Sequence, residues 1–207
     1  MSHVMDIYSS LAALILGSIP FGVIVARIYK IDDLQSRGSG NIGATNVSRV
    51  LGFWPAGAIV FSLDLFKGAL PILLVKAGVA SRYGYTAADV SEAALWLIGF
   101  CAVAGHCFSP WVGFKGGKGV ATGIGVLLAL SPWAGLAGIL AFGLTFYEKR
   151  TGSLASLAGL MIAAATHLVL YPPGAYLWFG GLIVWLIVIR HEKNIDALLQ
   201  NRENSFL

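Results

Sequence analysis

Apolar runs long enough to cross a bilayer alternate along this chain with short polar stretches. About twenty residues at ~1.5 Å each span a hydrocarbon core of roughly 30 Å. On that measure Ile7–Tyr29 predicts a first span, and the Gly17, Pro20 and Gly22 inside it are residues that a buried transmembrane helix accommodates. Arg27 and Lys30 mark its far end. Residues 31–50, IDDLQSRGSGNIGATNVSRV, read as a polar loop. Phe53–Val75 predicts span two, with Asp64 and Lys67 inside it; residues 76–89 form a polar connection, and Glu92–Phe108 predicts span three. The apolar run Val120–Tyr147 is too long for one untilted helix, and Ser131-Pro132 interrupts it, because proline disfavours helix at the preceding residue. Splitting there gives spans four and five. Glu148-Lys149-Arg150 is a charged loop, Leu154–Leu170 span six, Pro172-Pro173-Gly174 a turn and Ala175–Ile189 span seven, and the tail starts at Arg190. The pattern predicts an all-α integral membrane protein of about seven transmembrane helices, with residues 1–207 as a single domain.

Charge placement orients it. Lys30, Arg37 and Arg49, then Lys115 and Lys118, then Lys149 and Arg150, then Arg190, Lys193 and Arg202 fall on one side of the spans. Only Lys76 and Arg82 fall on the other. Basic residues mark the cytoplasmic side, which predicts an external N-terminus and a cytoplasmic C-terminus. Composition agrees: 57% of residues are hydrophobic, 12% are charged and mean hydropathy is +0.78, where soluble domains carry about 25% charged residues. The net charge of +4 therefore reads as loop lysine and arginine, not as a nucleic-acid footprint. Cys101 and Cys107 have no metal-ligand spacing and are expected to be free thiols. No basic segment of signal-peptide type precedes the first apolar run. Ala155, Gly159 and Ala163 repeat at four-residue spacing, which suits close helix packing.

Three same-side stretches carry the chemistry. The first is Gly105–Thr122, GHCFSPWVGFKGGKGVAT, with five glycines and two lysines between apolar segments. Glycines allow backbone to approach a ligand and to form an anion-binding nest, and Lys115 and Lys118 add charge. The competing reading is a basic connector. It is not a phosphate-binding Walker loop, because Gly119 follows Gly117-Lys118 and Val112 stands at the first glycine's place. The second is Gly38-Ser39-Gly40-Asn41-Ile42-Gly43, which fits a dinucleotide string but follows an apolar span rather than a strand. Ser39, Thr45 and Asn46 can still donate to an oxyanion, and Arg49 can fork onto phosphate. Its plain alternative is an interhelical loop with caps. The third is the tail, Arg190-His191-Glu192-Lys193-Asn194-Ile195-Asp196. His191 and Asp196 match an H-x-x-x-x-D string known from soluble acyltransferases, yet side chains five apart on a helix diverge, whereas His191 and Asn194 share a face. His106 reads as a base or a satisfied helix-end histidine, and Asp64 with Lys67 as a mutually neutralising pair within the bilayer.

Taken together, SGNIGATN with Arg49, GHCFSPWVGFKGGKGVAT, and RHEKNI followed by Glu203 resemble the three motifs of the bacterial membrane-integral glycerol-3-phosphate acyltransferases, the PlsY family. The resemblance covers nearly the whole chain. It implies transfer of a fatty acyl group from acyl phosphate to glycerol 3-phosphate, giving lysophosphatidate and phosphate, at the cytoplasmic face of the bacterial inner membrane. It implies that Ser39, Arg49, Lys118, His191 and Asn194 are catalytic. Gly38, Gly40, Asn41, Gly43, Thr45, Asn46, His106, Lys115, Gly116, Gly117, Gly119, Thr122 and Glu203 would bind substrate or phosphate. No cofactor or metal is implied. The expected partners are the two substrates, membrane lipid and a peripheral enzyme that makes the acyl phosphate. Two tail positions depart from the family pattern: Asp196-Ala197 stands where basic residues are usual, and Asn201 where glycine is common. A transporter for an organic phosphate is the alternative that the same basic loops and the Asp64–Lys67 pair would serve.

Overall fold

The computed structural model describes residues 2–77, 90–171 and 174–203. No strand occurs among the described residues. The helices are α1 (Ser2–Ser18), α2 (Phe21–Ile28), α3 (Ala44–Leu51), α4 (Ala58–Lys76), α5 (Glu92–Cys107), α6 (Val120–Leu130), α7 (Pro132–Lys149), α8 (Gly152–Leu170), α9 (Phe179–Ile189) and α10 (Glu192–Leu199). Their order follows the expected apolar segments, including the break at Ser131-Pro132, where α6 stops and Pro132 opens α7. Length and composition alone qualify four stretches as spans: Asp6–Ile28, Phe53–Lys76, Glu92–Val112 and Gly152–Leu170. Ala175–Ile189 passes the same test only when taken together with α10 across a 57° bend, and α10 itself is polar. At 11 residues α6 is short for a crossing, and α7 ends in the polar run Tyr147-Glu148-Lys149. The connection expected over residues 78–89 and the Pro172-Pro173 part of the last turn lie outside the described residues.

Two expectations need correction. The first apolar run is broken at Ile19-Pro20, because Pro20 cannot donate to the helix ladder. The carbonyls released there are satisfied from elsewhere: Ser18 Oγ donates to the Ile15 carbonyl (2.7 Å), Ser109 Oγ to that of Ser18 (2.6 Å) and Lys67 Nζ to that of Ile19 (2.8 Å). Lys67 therefore does more than neutralise Asp64, whose carboxylate is 2.8 Å away. Second, the supposed polar loop 31–50 holds α3 in its latter part. Gly43 opens this helix, whose Ala44, Val47, Val50 and Leu51 pack with apolar residues of α2 and α4, Val47 being fully buried.

Small residues set the helix spacing. A Cβ on Gly17 of α1 would lie 2.1 Å from the Ala102 carbonyl oxygen of α5. One on Gly125 of α6 would lie 2.0 Å from that of Leu65 on α4. On α8, Gly159 and the fully buried Ala163 meet Gly138 of α7, so the small-residue repeat forms a contact seam. Large apolar side chains such as Ile15, Leu140, Val169 and Trp185 are exposed on the outside of the bundle, where lipid would solvate them.

Candidate active site

Three separate segments converge at one end of the bundle. Gln35 Nε2, in the stretch between α2 and α3, donates to the Lys115 carbonyl in the glycine-lysine loop (3.1 Å). Arg190, at the end of α9, donates from Nε to the Gly117 carbonyl (3.2 Å) and from Nη2 to that of Gly116 (2.8 Å). Ser153 Oγ, at the start of α8, donates to Glu203 Oε1 in the tail (2.7 Å).

In the first loop Asn46 is the organiser. It is 1% exposed; its Oδ1 accepts from the Ser39 N–H (2.7 Å), and its Nδ2 donates to the carbonyls of Arg37 (3.0 Å) and Asn41 (2.8 Å). Asn41 Oδ1 in turn accepts from the Gly43 N–H (2.8 Å). These two amides are committed to shaping the loop. The turn also needs Gly38 and Gly40, both at positive φ (58° and 72°), where a side chain is strained. What the loop presents outward is the exposed Ser39, whose hydroxyl is not used in this network, and, from α3, Thr45 and Arg49.

The second loop is built on His106. The Gly117 N–H donates to the His106 carbonyl (3.0 Å), so that N–H is not part of an open nest. A Cβ on Gly116 would lie 2.1 Å from that carbonyl oxygen, and one on Gly117 would lie 2.0 Å from His106 Nε2. Both glycines are thus demanded by close packing. His106 itself is buried, 3.7 Å from Asp64 Oδ1, which ties the loop to the charged pair within the bundle. Gly119 has φ +89° and lies against Val103 and Cys107, where it opens α6. Lys115 is exposed, while Thr122 is fully buried beneath Gly68 of α4, away from the surface that the loops form.

The tail completes the cluster. Lys118 Nζ donates to Asn194 Oδ1, and Asn194 Nδ2 donates to Glu203 Oε1 (2.8 Å). Glu203 accepts from Ser153 and Asn194 together, so it works as a clasp between tail and α8. His191 precedes α10 and is 1% exposed; its Nδ1 lies 2.8 Å from the Ile187 carbonyl. A carbonyl can only accept, so Nδ1 carries the proton and Nε2 keeps its lone pair. Asp196 does not hold this ring: it is exposed on α10, and the H-x-x-x-x-D string has no geometric counterpart. Burial, then the Lys118 charge, push His191 from 6.5 down to about 4, against the pull of Ile187 and Glu203. Lys118 falls from 10.5 to about 8, mainly through burial, with Glu203 opposing and Arg49 and Arg190 adding to the fall. Arg49, Lys118, His191, Asn194 and Glu203 therefore share one field, and Arg190 belongs to it although the sequence reading did not single it out. Its signal was position: it precedes the histidine of the tail motif and faces the glycine-lysine loop. No cluster of metal-ligating side chains occurs among the described residues.

Arg49, Lys118 and Arg190 gather at one end of an apolar helical bundle, a cationic arrangement suited to anionic ligands in an integral membrane protein. The family described as glycerol-3-phosphate acyltransferase matches over residues 7–201, and the chain belongs to that family. It is 40% identical over 195 residues to the glycerol-3-phosphate acyltransferase of Anaeromyxobacter sp. (strain K), covering 93% of this chain and 92% of that protein. It is 42% identical over 190 residues to that of Myxococcus xanthus (strain DK1622), covering 92% and 94%. Crystal structures of PlsY, an integral membrane glycerol 3-phosphate acyltransferase, superpose with TM-score 0.86 in the glycerol 3-phosphate form and 0.85 in the lysophosphatidic acid form. Each is 38% identical and covers 98% of this chain and 96% of the other.

Proposed function

We propose that this chain, acting as one domain over residues 1–207, transfers a fatty acyl group from acyl phosphate to glycerol 3-phosphate, giving lysophosphatidate and inorganic phosphate. The observation that carries it is the convergence of Arg49, Lys118, His191 and Asn194 on one half-buried, cationic patch. Two phosphates meet in this reaction, and the donor is already activated because phosphate is a good leaving group. The site then has to orient two anions and offset their charge, with no covalent nucleophile needed. Arg49 and Lys118 hold the phosphates, and the Ser39 hydroxyl and Thr45 donate to their oxygens. The acceptor hydroxyl oxygen forms the new ester bond to the acyl carbon, the bond from that carbon to the phosphate oxygen breaks, and inorganic phosphate departs.

The hydroxyl proton needs an acceptor. His191 near 4 is a weak base, whereas a phosphate monoester has a second pKa of about 6. By about two pH units the substrate's own phosphate is the better base, and His191 Nε2, which can only accept, orients the acceptor by taking a hydrogen bond from one of its hydroxyls. The acyl chain lies in the bilayer between spans. The site faces the cytoplasm in a seven-span arrangement within the inner membrane, with an external N-terminus, and a peripheral enzyme supplies the donor.

Purified protein incubated with glycerol 3-phosphate should form lysophosphatidate from acyl phosphate and not from acyl-CoA. Equal rates with the two donors would sink the proposal.

A further inference from the structure

Arg190 is a strong cation at the centre of the cluster to which that scheme gives no role. It ends α9 and is the chain neighbour of His191. Its two hydrogen bonds go to successive carbonyls, Gly116 and Gly117, immediately before Lys118. Its guanidinium also stacks above Phe108 at 5.8 Å, in the segment that follows His106. The Gly116–Gly117 peptide is therefore held at both ends: its carbonyl by Arg190, and its N–H by the His106 carbonyl. The next peptide is held by Arg190 at the Gly117 carbonyl, and since a trans peptide points C=O and N–H in opposite directions, the Lys118 N–H must face away from Arg190.

We propose that Arg190 is a positioning residue that clamps the Gly116–Gly117 backbone and so sets the placement of Lys118 relative to His191, without itself binding substrate phosphate. A planar fork suits this task because it addresses two adjacent carbonyls at once. A lysine ammonium keeps the charge but is a point donor on a flexible stem. The charge has a second effect at the same place, since Arg190 adds to the lowering of both Lys118 and His191. The inference rests on the acyl-phosphate reading above.

The test uses the purified full chain with Arg190→Lys and Arg190→Ala, and measures kcat and KM for both substrates across pH. Losing one or two charge-assisted hydrogen bonds at the clamp is expected to cut kcat by about ten-fold or more, with each KM within about three-fold. The alkaline limb, set by Lys118 staying protonated, should move to higher pH in Arg190→Ala and stay in place in Arg190→Lys. A rise of ten-fold or more in either KM at unchanged kcat makes Arg190 a phosphate ligand and overturns the clamp. Wild-type kcat in Arg190→Lys overturns it too, because charge alone would then suffice. If Arg190→Ala does not fold, Arg190→Lys decides by the same two criteria. If the wild type transfers no acyl group, the acyl-phosphate reading fails separately. The clamp is then judged by hydrogen exchange of the Gly117 amide, which must quicken in both Arg190 variants; exchange unchanged from the wild type overturns it.

Discussion

The ammonium of Lys118 donates to the side-chain oxygen of Asn194, 76 positions further along the chain. That contact joins the glycine-lysine loop to the tail. Through Glu203 and Ser153 it continues to the start of α8. The cation is consequently held in one place before any ligand arrives, which is what a site built on charge placement requires.

Removing that cation should cost rate more than stability. A charge-assisted hydrogen bond contributes ~1.5–3 kcal/mol, and about 1.4 kcal/mol is a factor of ten in rate. Lys118→Ala and Arg49→Ala are each expected to lower kcat/KM about ten- to over a hundred-fold while the protein stays monodisperse in detergent. Wild-type kcat/KM in either variant would remove that residue from the phosphate site.

Glu203 separates clasp from ligand. Glutamine keeps an oxygen that accepts from Ser153 and Asn194, so Glu203→Gln should retain most of the thermal stability and Glu203→Ala should lose it. The lost carboxylate charge has a defined sign. Glu203 holds the Lys118 pKa up, so its neutralisation lets that pKa fall below about 8, and the alkaline limb of Glu203→Gln should shift to lower pH. A shift to higher pH would contradict the arrangement.

Much of this site was legible in the sequence because its motifs are local in the chain. The break at Pro132, the small-residue seam of α8 and the three polar stretches all follow from residue type and spacing. What the sequence hides is which backbone groups are already used. Gly117 looked like part of an open nest, yet its N–H is bonded to His106. Thr122 lies in the motif but faces α4, and α3 escaped notice because it is only eight residues long, largely polar and set against a glycine-rich turn, although Ala44, Val47 and Leu51 recur at helical spacing. Asn201 has φ 52°, a conformation asparagine tolerates better than most residues.

His191 supplies a pH test of folding. Its pKa is 6.5 when unperturbed and about 4 in the folded protein, so the unfolded chain takes up the proton first. Its contribution is intact above 6.5 and is lost as pH falls toward 4, up to about 3 kcal/mol at 1.36 kcal/mol per unit. Thermal stability of the wild type should fall over that window more steeply than that of His191→Asn. In activity, His191→Asn should lower kcat strongly yet keep an acid limb near the phosphate value of about 6. A wild-type acid limb near 4 that disappears in His191→Asn would make imidazole the base. Asp196→Ala should be close to wild type.

Orientation can be read with thiols. In a background lacking Cys101 and Cys107, single cysteines at Ser36 and Gln200 should resist an impermeant thiol reagent in intact cells. One at Tyr83, which lies outside the described residues, should label. Labelling of the first two from outside overturns the seven-span orientation.

The two glycines at 113 and 117 discriminate between an open nest and a packed loop. Gly113 has φ 61° with nothing within 4 Å of a built Cβ, so alanine there meets only backbone strain, about 1 kcal/mol. Gly113→Ala should therefore cost some stability and little kcat. At Gly117 a Cβ would lie 2.0 Å from the His106 ring, itself fixed by burial beside Asp64. Neither the ring nor the backbone can yield without loosening the bonds to the His106 carbonyl and to Arg190. Lys118 is the next residue, so Gly117→Ala should lower kcat by about as much as Lys118→Ala does, on the estimate of one displaced charge-assisted bond. The double variant Gly117→Ala/His106→Ala relieves the collision. If packing is the reason for the glycine, this double variant should recover part of the lost rate beyond what His106→Ala alone permits. If Gly117 instead served a ligand directly, the second substitution would only add to the damage, and that additivity would refute the packed-loop reading.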